Sequence, residues 1–144
     1  MAAQQDFTWH QGEDFPISLI YKLGPAGSEV PVDLTSYSLR MDVAADDGSI
    51  LTILNDENIA DTDPYTVGNQ GDTTYEVTMG ADGSIQILLG RALTLPGGPF
   101  VKYLAANPSR NTFSYDVFLR NPAGKQTKIL FGTLTLIKSV TKWT

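Results

Sequence analysis

The constraint that decides most about this chain is the alternation within residues 111–138, NTFSYDVFLRNPAGKQTKILFGTLTLIK. Phe113, Tyr115, Val117 and Leu119 recur at every second position, while Ser114, Asp116 and Arg120 fall on the other parity. A period of two puts the apolar set on one face of a strand and the polar set on the other, so a half-buried strand is expected. Asn121, Pro122, Ala123 and Gly124 supply turn chemistry, and a second arm then returns. That arm has Ile129 and Phe131 at odd positions but Leu134 and Leu136 at even ones, so one extra residue must be absorbed between them. Gly132 is the expected place for this bulge, because glycine tolerates the dihedrals a bulge demands.

The remaining chain reads as strands packed around this hairpin. Residues 1–12 are expected to form an extended arm or a short edge strand with Phe7 and Trp9 on one side, docked on its own domain or on a partner and ending in the turn Gln11, Gly12. Residues 15–23 put Ile17, Leu19, Tyr21 and Leu23 on one face of a core strand whose start Pro16 restricts. Tyr37, Leu39, Met41 and Val43 alternate with Ser36, Ser38, Arg40 and Asp42, and the turn signal Asp46, Asp47, Gly48 predicts an antiparallel return over residues 49–54. Residues 55–78 lack a hydrophobic period and read as a long acidic loop, with Tyr75, Val77 and Met79 forming a strand at its end. Ile85, Ile87 and Leu89 form another buried strand. Residues 91–106 read as a crossover carrying one helical turn, which proline at position 99 would open. The sum is one domain over residues 1–144, all-β, an immunoglobulin-like antiparallel sandwich of about seven strands with at most a short helical turn.

Composition removes several functions. The chain has 144 residues and no cysteine, so disulfides, thiolate metal sites and cysteine nucleophiles are excluded. A net charge of −6 lacks the basic surplus that a general nucleic-acid binder needs to displace counterions. The start MAAQQDFTWH has neither a basic nor an apolar leader region, and no run approaches the roughly 20 apolar residues that span a bilayer, so a soluble protein made in a cytoplasm, with no membrane partner, is expected. Charge is unevenly placed. No Lys or Arg occurs between Arg40 and Arg91, whereas Asp116 is the only acid after Lys102. Either strand interleaving mixes these charges in space, or an acidic and a basic surface meet between neighbouring subunits.

Catalytic chemistry finds little support. His10 is the only histidine, and neither a nucleophile elbow nor a Ser-x-x-Lys pair is present. The glycines around Pro96 and Pro99 lack the Lys-Ser/Thr of a phosphate loop. Asp56, Glu57, Asp61 and Asp63 are candidate Ca²⁺ ligands, because that ion takes several carboxylate oxygens from a flexible loop. Their spacing does not match an EF-hand, and a solvated acidic loop is the other reading. Phe7, Trp9, Tyr65 and Trp143 are candidate interface residues; aromatics so placed serve either subunit contacts or stacking on sugars.

The order of landmarks resembles a known group. Gln11, Gly12, Glu13 and Asp14 stand before a strand, followed by Pro31, Val32, Asp33, Leu34 and Thr35 and by the Asp47, Gly48 hairpin. Gly83, Ser84 and Ile85, then Tyr115, Asp116 and Val117, the turn Pro122, Ala123 and Gly124, and Gly132 with Val140 and Thr141 complete the set. Together they resemble the small β-sandwich structural proteins of tailed bacteriophages, in particular the N-terminal domain of upper baseplate proteins and related tail and fibre-attachment proteins. The acidic segment is longer than the simple turn expected there, and the chain ends at Thr144 where an upper baseplate protein would continue. The resemblance implies a non-enzymatic virion protein without cofactor, a tail, neck or baseplate adaptor that contacts other virion proteins and copies of itself. On this reading the ends, residues 1–12 and 139–144, and the long acidic loop contact neighbouring proteins; the other reading of the ends is that each folds back as an edge strand on its own sandwich. A capsid decoration protein and a carbohydrate-binding module are the alternatives.

If the hairpin is the centre of the fold, Val117→Ala costs about 2 kcal/mol through two lost methyl groups and the void they leave. Urea unfolding checks this, and an unchanged midpoint would remove the hairpin from the core.

Overall fold

The computed structural model describes residues 2–45, 48–56, 75–95, 98–100, 103 and 110–139. Among them run β1 (Ala3–Gln4), β2 (Phe7–His10), β3 (Phe15–Ile20), β4 (Lys22–Leu23), β5 (Val30–Pro31), β6 (Ser38–Ala44), β7 (Ile50–Asp56), β8 (Tyr75–Met79), β9 (Ser84–Leu89), β10 (Arg110–Arg120) and β11 (Gln126–Ile137), with a 3-10 turn at Arg91–Leu93. The chain is all-β in these residues, as its alternation implies. A six-stranded sheet has the order β1-β11-β10-β6-β7, with β2 also on β11. A three-stranded sheet has the order β3-β9-β8, and β4 pairs with β5 alone.

The hairpin at residues 111–138 forms as expected, but its bulge lies elsewhere. Val117 pairs with Leu130 and Phe118 with Lys128, so Ile129 is the extra residue, and Ile129 and Leu130 are both buried. Two consecutive apolar residues can turn inward only where the ladder is broken, which is why the parity changes here. Gly132 instead pairs in register with Tyr115. It has to be glycine because the chain crosses it closely: a Cβ would collide with the carbonyl oxygen of Gln5.

That crossing belongs to the N-terminal segment, where the largest corrections fall. β1 and β2 both pair in parallel with β11, Ala3 with Leu130 and Phe7 with Leu134. A wholly antiparallel arrangement of about seven strands is therefore corrected to mixed pairing, with eleven strands among the described residues. Nearly the whole chain separates β2 from β11, so no tight hairpin forces the two to run in opposite directions. The expected core strand at 15–23 is also shorter. Tyr21 donates its N–H to the Gly83 carbonyl at 2.8 Å while its own carbonyl accepts from Val32 N at 3.1 Å, which passes the chain into the β4–β5 pair. Leu23 is consequently 51% exposed rather than buried. At the acidic segment β7 runs on to Asp56, past the expected end of the return at residue 54, while β8 (Tyr75–Met79) forms as expected. Residues 57–74 lie outside the described residues. Where a helical turn opening at position 99 is expected, Tyr103 is helical and donates its N–H to Phe100 O at 3.1 Å, while residues 101, 102 and 104–109 lie outside the described residues; a 3-10 turn that was not expected precedes it at Arg91–Leu93, where Arg91 N–H donates to the Asp14 carboxylate at 2.9 Å.

One core draws on both larger sheets. Met41, Val43, Val117, Leu134 and Leu136 from the first meet Ile17, Ile85, Ile87 and Leu89 from the second. Trp9 lies fully buried among them, its ring centroid 5.7 Å from that of Phe15 and 5.9 Å from that of Phe100, with its indole N–H donating to Glu13 O at 2.8 Å.

Gly132→Ala is expected to push the N-terminal segment off β11, because the collision is with backbone that has no rotamer to escape into. Hydrogen exchange reads this as faster exchange at residues 5–10 with protection retained in β10. Unchanged exchange at those residues would show that the crossing is looser than described.

Candidate functional site

β10 serves two surfaces. Its odd residues point into the core, while Ser114, Asp116 and Phe118 lie on the other face of the six-stranded sheet. There they line an open groove of about 430 Å³ together with Asp42 and Ala44 of β6, Ile50 of β7, and Lys128 and Phe131 of β11. Strand register sets the arrangement. Asp42 stands directly opposite Asp116, which stands opposite Phe131; one row along, Arg40 stands opposite Phe118, which stands opposite Lys128.

Two like charges directly opposite each other on neighbouring strands repel. Here each carboxylate has a base: Arg40 Nε lies 3.2 Å from Asp42 Oδ1, and Lys128 Nζ lies 3.7 Å from Asp116 Oδ2. Exposed pairs of this kind are worth at most about 1 kcal/mol each, enough to offset the repulsion locally and leave the groove close to neutral. Lys128 Nζ also sits 5.6 Å from the Phe118 ring centre and 5.8 Å from that of Phe131, so one ammonium links the acid to both aromatic rings. Ile50, 62% exposed, adds apolar surface at the β7 side. The groove thus offers carboxylate acceptors, cationic donors and aromatic faces within one surface.

The sequence-predicted sites fall elsewhere. Trp9 is an internal core residue, which corrects its assignment as an interface anchor: the N-terminal arm folds back on its own sheet. Phe7 is half-buried, with its ring 5.2 Å from Phe15 and 5.4 Å from Tyr115. Tyr65 and Trp143 lie outside the described residues, as do Glu57, Asp61 and Asp63; Asp56 is placed only as the end of β7. Among the described residues no cluster of three or more acidic or histidine side chains stands ready to hold a metal ion. His10 is exposed, and its backbone N–H donates to Glu13 Oε1 at 3.1 Å. Of the C-terminal arm only Ser139 is described, and it is tied to Gln11: its hydroxyl donates to Gln11 O at 2.7 Å. Gln11 in turn donates from Nε2 to Thr94 O at 3.1 Å, while the buried Thr94 hydroxyl accepts from Gly12 N–H at 2.9 Å. Charges distant in sequence are brought together at the Arg91–Asp14 pair, 3.7 Å apart.

Sequence reasoning missed Phe118 and Phe131. Phe118 carried a signal, since it interrupts an otherwise polar parity along β10. Phe131 did not, because the displaced bulge assigned it to the core. No family model and no curated protein matches the chain's sequence.

Behind the groove lies one strongly perturbed group. The Tyr115 hydroxyl, buried beneath Gly132, donates to Gln5 O at 2.6 Å. Burial first, and the nearby Asp6 carboxylate second, push its pKa up to about 12 from an ordinary 10.0. The folded state therefore holds this proton where the unfolded state has lost it. Its contribution to stability is complete below about pH 10 and disappears as pH rises through about 12. Tyr115→Phe is expected to lower stability at pH 8 by about 1 kcal/mol and to flatten the loss between pH 10 and 12. Denaturant unfolding across that range checks it, and a slope equal to that of the parent would rule out Tyr115 as the titrating group.

Proposed function

We propose that the chain is a structural protein of a tailed-bacteriophage virion, an adaptor of the tail, neck or baseplate that acts by protein contacts and without catalysis. The landmarks from Gln11 and Gly12 to Val140 and Thr141, spread over nearly the whole chain, support this reading. We also infer an immunoglobulin-like sandwich. The N-terminal strand with β11, β10, β6 and β7 in one sheet, and β3, β9 and β8 in the other, follows the strand order of variable-type immunoglobulin domains.

The observation that carries the assembly reading is the β4–β5 pair. Every residue from 22 to 31 is exposed, and Leu23 stands opposite Val30 with 51% and 64% of their surfaces in water. A two-stranded hairpin is marginal by itself, and nothing in its own sequence rewards exposing an apolar pair. Ile20, 60% exposed at the end of β3, adds to the apolar surface of this part of the chain. A neighbouring virion subunit that covers the pair supplies the burial that the isolated chain lacks.

Co-expression with tail, neck and baseplate proteins from the same genome tests the proposal. A stoichiometric complex with one of them is expected by size exclusion with light scattering. The double variant Leu23→Asp, Val30→Asp is expected to weaken that complex by about a hundredfold or more while leaving the melting temperature of the isolated chain within about 2 °C. A chain that stays alone with every such partner overturns the adaptor reading, and a variant that binds as well as the parent moves the contact away from this hairpin.

A further inference from the structure

We propose that the groove on the outer face of the six-stranded sheet is a binding site for neutral carbohydrate. The proposal goes beyond the assembly reading and is independent of it, since the groove uses none of residues 22–31.

The argument starts from charge balance. Asp42 and Asp116 are matched by Arg40 and Lys128, so a strongly charged ligand, whether polyanion or basic peptide, meets no net field to attract it. A polyhydroxyl ligand meets what it needs. Sugar hydroxyls both donate and accept, so neighbouring hydroxyls on one ring can give hydrogen bonds to a carboxylate and take one from an ammonium group, and bonds to charged partners are the stronger kind. Asp116 and Lys128 stand as such a pair, 3.7 Å apart. The apolar face of a pyranose then needs a flat apolar partner. Phe131 stands directly opposite Asp116, and Phe118 directly opposite Lys128, so each polar group has an aromatic ring beside it in the same row. The groove volume of about 430 Å³ lies within the range of roughly 300–1,000 Å³ usual for small-molecule sites.

The floor is rigid, as recognition of a weakly distinguishing ligand requires. β10 is the central strand between β6 and β11, and its reverse face is the buried row Phe113, Tyr115, Val117 and Leu119. The groove side chains therefore project from backbone held on both edges by strand pairing, and little ordering remains to be done on binding.

Titration of the labelled full chain with cellohexaose, maltohexaose and hexa-N-acetylchitohexaose, followed by amide shifts in NMR, tests the proposal. At least one neutral hexasaccharide is expected to give saturable shifts confined to β6, β10 and β11. Asp116→Asn, which keeps shape and removes charge, is expected to weaken binding by about tenfold or more. Phe131→Ala is expected to abolish it while preserving amide dispersion, and if that variant fails to fold, Asp116→Asn carries the test alone. The absence of saturable shifts with all three sugars at about 10 mM, above the millimolar range of weak sites, overturns the proposal. So do shifts that fall elsewhere or survive both variants. Groove amides that move with protein concentration alone would assign the surface to a second copy of the chain and overturn it as well.

Discussion

The burial of Trp9 is the interaction on which the rest of the structure depends. A side chain of that size can be placed at zero exposure only if both sheets contribute walls, and here β2 brings it in along β11 while Phe15 of β3 and Phe100 close on it from the other side. Its one polar group is satisfied locally by the Glu13 carbonyl, so burial costs no unpaired donor. The ring contacts continue from Phe100 to Phe113 and from Phe113 to Tyr103, which ties the N-terminal strand to the start of β10. Gly132, the Tyr115 hydroxyl and the Asp6 carboxylate, which accepts from Thr133 N–H at 3.0 Å, then hold residues 5 and 6 against the hairpin. The N-terminal segment is thus held by strand pairing and hydrogen bonds to residues more than a hundred positions away.

Fixing the hairpin in this way also fixes the outer groove. Because side chains alternate across a sheet, any shift of β10 against β11 would move Asp116 and Phe118 together with the core row behind them. The bulge at Ile129 is what allows Leu130, Leu134 and Leu136 to face inward while Lys128 and Phe131 face outward beside β10. Core packing and surface chemistry are therefore two consequences of one register.

A contrast runs between this sheet and the β4–β5 pair. The groove combines charge, aromatic surface and rigid backbone, whereas residues 22–31 carry exposed apolar side chains on a pair of strands with no other sheet neighbour. The first arrangement suits a ligand selected by hydrogen-bond direction, the second a partner selected by area covered.

By itself the sequence determined the all-β class, the hairpin at 111–138, the antiparallel return of β7 on β6, and the burial of Met41, Val43, Val117, Ile85 and Ile87. Each of these rests on local alternation, which records burial because a strand shows its two faces to two environments. What only tertiary structure decided is everything that depends on which strand lies next to which. The parallel docking of β1 and β2, the reason for glycine at 132, the exposure of Leu23 and the meeting of Asp42 with Asp116 are all of this kind. Pairing is chosen by the total burial that the assembled sheets achieve, and an alternating segment reads the same whether its neighbour is the next strand or one a hundred residues away. Phe131 shows the limit most plainly: its face was set by a single skipped pairing at Ile129, and a one-residue slip in a period of two reverses inside and outside.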